Sequence, residues 1–153
     1  MKVLGKLLVK PAILLQYPAK DAEDVVSALG DLLLKAGYVK GSFVQAALTR
    51  EQSMPTGLPL SGATNAAIPH TDVEHVLKPG VALATLTEPV VFHNMANPED
   101  TVDVKLVFLL ALDQPKAQIE MLQEIAGVLQ DPNLIEILMN TQEPDQIIQA
   151  LEE

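Results

Sequence analysis

VKLVFLLAL, Val104 to Leu112, carries one charge in a run of β-branched and large aliphatic side chains. A strand with one wet face alternates apolar and polar residues, so a run apolar at nearly every position predicts a strand covered on both faces. Further strands are predicted on either side of it. VALATL (Val81 to Leu86) and PVVF (Pro89 to Phe92) precede it, and NPED (Asn97 to Asp100) makes the turn between. PAILL (Pro11 to Leu15) suits a short buried strand, and ATNAAI (Ala63 to Ile68) a weaker one that ends at Pro69.

Elsewhere the period changes to that of a helix. Asp21 caps a helix whose Val25, Val26, Leu29, Leu32, Leu33 and Ala36 share one face, and Gly37 stops it. Ser42, with Gln45 in the matching position, has the form of a capping box and opens a second helix that closes at Arg50. Pro55, Gly57, Pro59 and Gly62 then make Gln52 to Gly62 a loop. Three helices follow the central run: Ala117 to Gln130, one capped by Asp131 with Pro132 in its first turn, and Pro144 to Leu151. Helices before, between and after strands predict an α/β or α+β sandwich, a mixed sheet covered by helices. With no internal repeat and no low-complexity tract, residues 1–153 are expected to form a single domain.

Composition narrows the functions. The chain has 48% hydrophobic and 20% charged residues, which fits a globular domain and not a disordered one. Aromatics make up 3% with no Trp, and the formal net charge is −10, so stacking on bases and binding to a phosphate backbone are both disfavoured. Nucleic acid is not an expected partner. Such a surface attracts basic proteins, or serves solubility alone. There is no cysteine, which excludes disulfides, thiolate metal sites and a cysteine nucleophile in this chain. Lys2, Lys6 and Lys10 interrupt the apolar N-terminal stretch, so it lacks the form of a signal peptide. No apolar run approaches the roughly 20 residues of a membrane helix. A cytoplasmic location without membrane insertion is expected.

No G-x-S-x-G elbow, P-loop or G-x-G-x-x-G is present, and histidine is the remaining candidate nucleophile. NAAIPHTDVEH, Asn65 to His75, holds two of the three histidines. Pro69 fixes its own φ and biases Ile68 towards an extended conformation, which stiffens the turn carrying His70. Thr71 and Asp72 are placed to cap a helix through His75, and such a helix would aim free N–H groups at an anion beside the imidazole. A histidine that accepts and holds a phosphoryl group suits this arrangement. Neutral imidazole is the nucleophilic form, and an ordinary pKa near 6.5 leaves roughly three-quarters of it neutral at pH 7. The same placement also suits a histidine that merely caps a strand in a tight turn.

His70, Asp72 and His75 offer nitrogen and oxygen ligands, but H-x-D-x-x-H is not the i, i+4 pair that places two histidines on one helix face. No metal site is expected. His93, after PVVF, is read as a turn histidine. Arg50 suits the negative end of the helix macrodipole, and equally suits phosphate recognition by a planar, permanently charged fork.

These residues resemble a known family. AIPH (Ala67 to His70), the pair Arg50-Glu51 and a turn-rich loop containing Thr56 are similar to the type-2 enzyme IIA domain. That is the mannitol/fructose family of the bacterial phosphoenolpyruvate-dependent sugar phosphotransferase system. AGYV (Ala36 to Val39), LVFLLAL (Leu106 to Leu112) and the helix Leu122 to Asp131 extend the match along nearly the whole chain. The resemblance implies an α/β sandwich whose mixed sheet of five strands is flanked by helices. It implies that His70 takes phosphate through Nε2 from the histidine-phosphorylated phosphocarrier protein and passes it to a cysteine of a sugar-specific IIB component. Arg50 would hold the phosphoryl group, and a membrane IIC would be served indirectly. No metal or cofactor is implied, because the donor phosphohistidine is already activated.

One position departs from the pattern. The family's second active-site histidine opens an H-L-x-x-L helix, and here Gln118 and Ile119 stand there. Gln118 can hydrogen-bond a phosphate oxygen but carries neither a proton to give nor a charge. It is a neutral substitute or an exposed helix residue. Thr71, Thr56 and His75 are further candidates for supporting the phosphoryl group. The loop Met54 to Gly62, HTDVEH and FHNM resemble the galactitol-specific branch. The alternatives are a regulatory phosphoprotein of the nitrogen-related IIA type, which binds partners according to phosphorylation state, and a non-catalytic module that keeps the fold.

Overall fold

In the computed structural model, which describes residues 3–153, the run from Val104 forms the body of the middle strand of the sheet. Lys2 lies outside the described residues. In chain order the strands are β1 (Leu8–Tyr17), β2 (Gly57–Leu58), β3 (Asn65–Ala67), β4 (Gly80–His93) and β5 (Thr101–Ala111). The helices are α1 (Leu4–Leu7), α2 (Ala22–Lys35), α3 (Phe43–Ser53), α4 (Pro115–Leu129), α5 (Pro132–Asn140) and α6 (Pro144–Glu152). The sheet order is β1-β4-β5-β3-β2, with β1–β4 and β3–β5 parallel and β4–β5 and β2–β3 antiparallel. It is an open, mixed, five-stranded sheet with helices on both faces, as expected.

The alternation of side chains along β5 explains the unbroken apolar run. Val107, Leu109 and Ala111 face a core closed by Val25, Val26, Leu29 and Leu33 of α2 and by Phe43 and Ala47 of α3. Leu106, Phe108 and Leu110 face a second core, closed by α1, α4, α5 and α6. Phe108 is fully buried there, and truncating such a side chain to Ala costs about 3–5 kcal/mol. Gly30 of α2 lets α3 approach: an added Cβ would stand 2.6 Å from Val44 Cγ2. That contact fixes the helix that carries Arg50.

Two of the expected caps form. Asp21 accepts from Asp24 N at 2.8 Å, and Asp131 from Leu134 N at 3.2 Å. Gly37 ends the first long helix with φ at +85°. The three C-terminal helices lie within a few residues of their expected bounds.

Four local expectations are corrected. VALATL and PVVF belong to one strand, β4, with a register shift between Thr85 and Val90. Thr87, Glu88 and Pro89 bulge out there and are exposed, which takes the proline's missing N–H out of the ladder. The loop Gln52 to Gly62 contains the two-residue β2, too short to leave a pattern. Helix α3 runs on to Ser53, so Arg50 sits in its last turn and does not close it. Ser42 precedes α3 but makes no side-chain cap bond, because its hydroxyl is used elsewhere. Among the described residues no helix is long and apolar enough to cross a membrane.

Candidate functional site

Strand β3 ends at Ala67, and the turn Ile68-Pro69-His70 is held from both sides. Ile68 N donates to Thr56 O at 3.4 Å, and Leu110 N of β5 donates to Pro69 O at 3.1 Å. The proline that stiffens the turn thus also receives a bond from the middle strand. His70 is 8% exposed, and its Nδ1 lies 2.8 Å from Ile68 O. A carbonyl only accepts, so Nδ1 carries the proton and the Nε2 lone pair is left for chemistry. No group of the described residues hydrogen-bonds Nε2, and it is not among the buried atoms left without a partner. It therefore reaches the surface.

Burial pushes the His70 imidazole below its ordinary pKa; the Ile68 carbonyl works the other way, Arg50 lowers it further and Asp72 raises it. The result is a ring neutral at physiological pH. Arg50 stands beside this turn, with Nη1 3.7 Å from Asp72 Oδ1. Its Nε is buried without a partner. The other such atom among the described residues is Oε1 of Gln118, in the first turn of α4. Both belong to residues singled out from the sequence, and both are capacity for hydrogen bonding that the fold leaves unused. Gln118 makes no hydrogen bond to His70 or Arg50.

The remaining candidates are placed differently. Thr71 is 5% exposed and lines a shallow cleft of about 480 Å³ with Thr49, Arg50, Met54, Asp72 and His75. Thr56 is buried, and its hydroxyl is committed to Glu51 Oε1 at 2.8 Å while its N–H donates to Glu51 Oε2 at 2.8 Å. His75 points its Nδ1 at Ser42 Oγ, 2.8 Å away, and its Nε2 lies 4.0 Å from Glu74 Oε1. His93 ends β4 as an exposed turn histidine, with Nδ1 2.9 Å from Pro98 O. Among the described residues no three His, Asp or Glu side chains converge as a metal site would require.

The helix expected after His70 is only a 3-10 turn, Val73–His75, and Asp72 makes no cap bond. A longer helix has no room: Lys40 N donates to His75 O at 2.9 Å, and Val76 bridges to Val39, which pins the segment to the α2–α3 connection before β4 begins. The segment after His70 therefore supplies no helix N-terminus to the imidazole. Glu51 was missed in the sequence, where it figured only as the partner in an Arg-Glu pair. Burial raises its pKa, against the Thr56 bonds, Arg50 and His93, which lower it.

A neutral imidazole with one fixed tautomer, an outward lone pair and a guanidinium alongside can attack an electrophile that bears anionic oxygens. Residues 6–153 match the family described as phosphoenolpyruvate-dependent sugar phosphotransferase system, EIIA 2. The galactitol-specific EIIA component of Escherichia coli K12 is 32% identical over 123 residues, 80% of this chain and 81% of that protein. The enzyme IIA of the mannitol system, solved in complex with phosphorylated enzyme IIB from Escherichia coli, is 30% identical. It covers 95% of this chain and 96% of that one, with a TM-score of 0.77. The nitrogen regulatory protein IIA-Ntr of Neisseria meningitidis, at 22% identity and a TM-score of 0.75 over 97% of this chain and 99% of that one, shares the fold.

Proposed function

The chain belongs to the type-2 enzyme IIA family of the phosphoenolpyruvate-dependent sugar phosphotransferase system, and we propose that within it His70 is the residue that carries the phosphoryl group. The observation that carries this reading is the held Nδ1 of a nearly buried ring whose Nε2 is free. Nε2 attacks the phosphorus of the phosphocarrier's phosphohistidine. The donor P–N bond breaks, and its electron pair returns to the donor ring. In the second step a cysteine thiolate of the IIB component attacks the same phosphorus, and the Nε2–P bond breaks to restore neutral His70. The positive charge that develops on the ring is met by Ile68 O at Nδ1.

Arg50 holds the phosphoryl oxygens with a planar, permanently charged fork and an Nε that has no other use. Gln118, by turning its amide, supplies a neutral donor where the family's usual second histidine is absent. Thr71 supports from the cleft. His75 is peripheral, and Thr56 acts through Glu51. The reaction uses no metal or cofactor, since the donor is already activated.

The partners are the histidine-phosphorylated phosphocarrier protein and a galactitol-type IIB, with a membrane IIC served indirectly, all at the cytoplasmic side. The higher identity to the galactitol-specific component than to the nitrogen regulatory protein favours transport over regulation. The test is to incubate the chain with enzyme I, phosphocarrier and labelled phosphoenolpyruvate, then with galactitol-type and other IIB acceptors. Label on His70, discharged fastest to the galactitol-type IIB, is expected. Label on His75 or His93 overturns the assignment.

A further inference from the structure

Three carbonyl and carboxylate contacts lead in sequence from α3 to the reactive ring. Glu51 grips Thr56 with both oxygens, on its N–H and its hydroxyl, each at 2.8 Å. Thr56 O accepts from Ile68 N at 3.4 Å, and Ile68 O meets His70 Nδ1 at 2.8 Å. The first grip spans the turn between α3 and β2, and the second joins that turn to the one carrying His70. A carboxylate is an expensive way to hold a loop, since burial disfavours its charge. An apolar side chain would fill the same space at lower cost but leave the Thr56 N–H without an acceptor.

We propose that Glu51 is a positioning residue for His70: by clamping Thr56 it aims the Ile68 carbonyl at Nδ1, and so keeps the imidazole in the one tautomer whose Nε2 can accept a phosphoryl group. This rests on His70 being the acceptor. Thr56 thereby gains a role through Glu51 and Ile68, not through contact with phosphate.

The test measures two things on the same variants. One is the tautomer of His70, from the nitrogen shifts of its ring in the unphosphorylated protein. The other is the rate of phosphorylation by phosphocarrier. Wild type is expected as the Nδ1–H form. Glu51→Leu removes both acceptors; the tautomers should mix and the rate fall about tenfold, the usual effect of losing a supporting outer partner. Glu51→Gln still accepts from the Thr56 N–H and can donate to its hydroxyl, so it should rescue most of both. Thr56→Val loses one arm and should fall between, and it carries the test if Glu51→Leu does not fold. A folded Glu51→Leu or Thr56→Val with wild-type tautomer and wild-type rate overturns the proposal. A wild type that never labels His70 sinks the acceptor reading instead, while the tautomer still reports on Glu51.

Discussion

His70 and His75 stand five residues apart on one loop, and their surroundings make different groups of them. The ring of His70 is nearly buried, donates its one hydrogen bond to a backbone carbonyl of its own turn, and keeps the other nitrogen free. The ring of His75 is shared between the Ser42 hydroxyl and the neighbourhood of Glu74, and its main-chain carbonyl ties the loop to Lys40. A hydroxyl can donate or accept, so it selects no tautomer; a carbonyl selects one. The difference in chemistry between the two histidines therefore lies in what each Nδ1 faces.

The largest test of this contrast exchanges neither ring but removes each. His70→Ala should abolish phosphorylation, while His75→Ala should leave the rate within about twofold, as expected of a group outside the reacting geometry. Equal losses in the two variants, measured by label uptake, would erase the distinction. The next largest effect is at Arg50. Removing one preorganised charge from a transition state costs on the order of a hundredfold, so Arg50→Gln should slow transfer by about that factor. Its thermal midpoint should hardly move, because the contact with Asp72 is 3.7 Å long and reaches solvent. An unchanged rate takes Arg50 out of the site.

The smallest effect is one of pH. The folded pKa of His70 lies below its ordinary value of about 6.5. Between those two values the unfolded chain binds more protons than the folded one, so stability is fully present above pH about 6.5 and is lost as pH falls through the folded pKa. Glu51, with its folded pKa raised, has the opposite sign: its protonated form is the better tolerated when buried, so acid favours the fold there. Melting temperatures recorded from neutral pH downwards should decline less steeply in His70→Gln than in wild type. Parallel curves would mean that the ring is not desolvated in solution.

Much of this was legible from local pattern. An apolar residue at nearly every position of Val104 to Leu112 already required two covering layers, and Asp21 and Asp131 already marked helix starts, since a cap bond spans only three residues. Pro69 and His70 were legible for the same reason: a ring constraint and its neighbour act within one turn. The capping box at Ser42 was misread because its hydroxyl found a partner 33 residues away. The division of β4 was misread because Pro89 breaks strands in general, whereas a bulge here carries it outside the ladder. Glu51 and Thr56 lie close in sequence, but nothing in their spacing shows that both oxygens close on one residue, or that the chain of bonds ends at His70.

The sequence by itself determined a covered central strand, a stiff proline-led turn with one imidazole, and the family to which such a set belongs. Those features rest on hydrophobic period, ring geometry and short-range capping, which need no knowledge of distant residues. Only the tertiary structure decided what holds Nδ1 of His70, how far the ring is desolvated, and that Arg50 and Gln118 hold unused hydrogen-bonding atoms. Each of these depends on which groups the fold brings together and how much water it removes, and both are properties of packing across the chain.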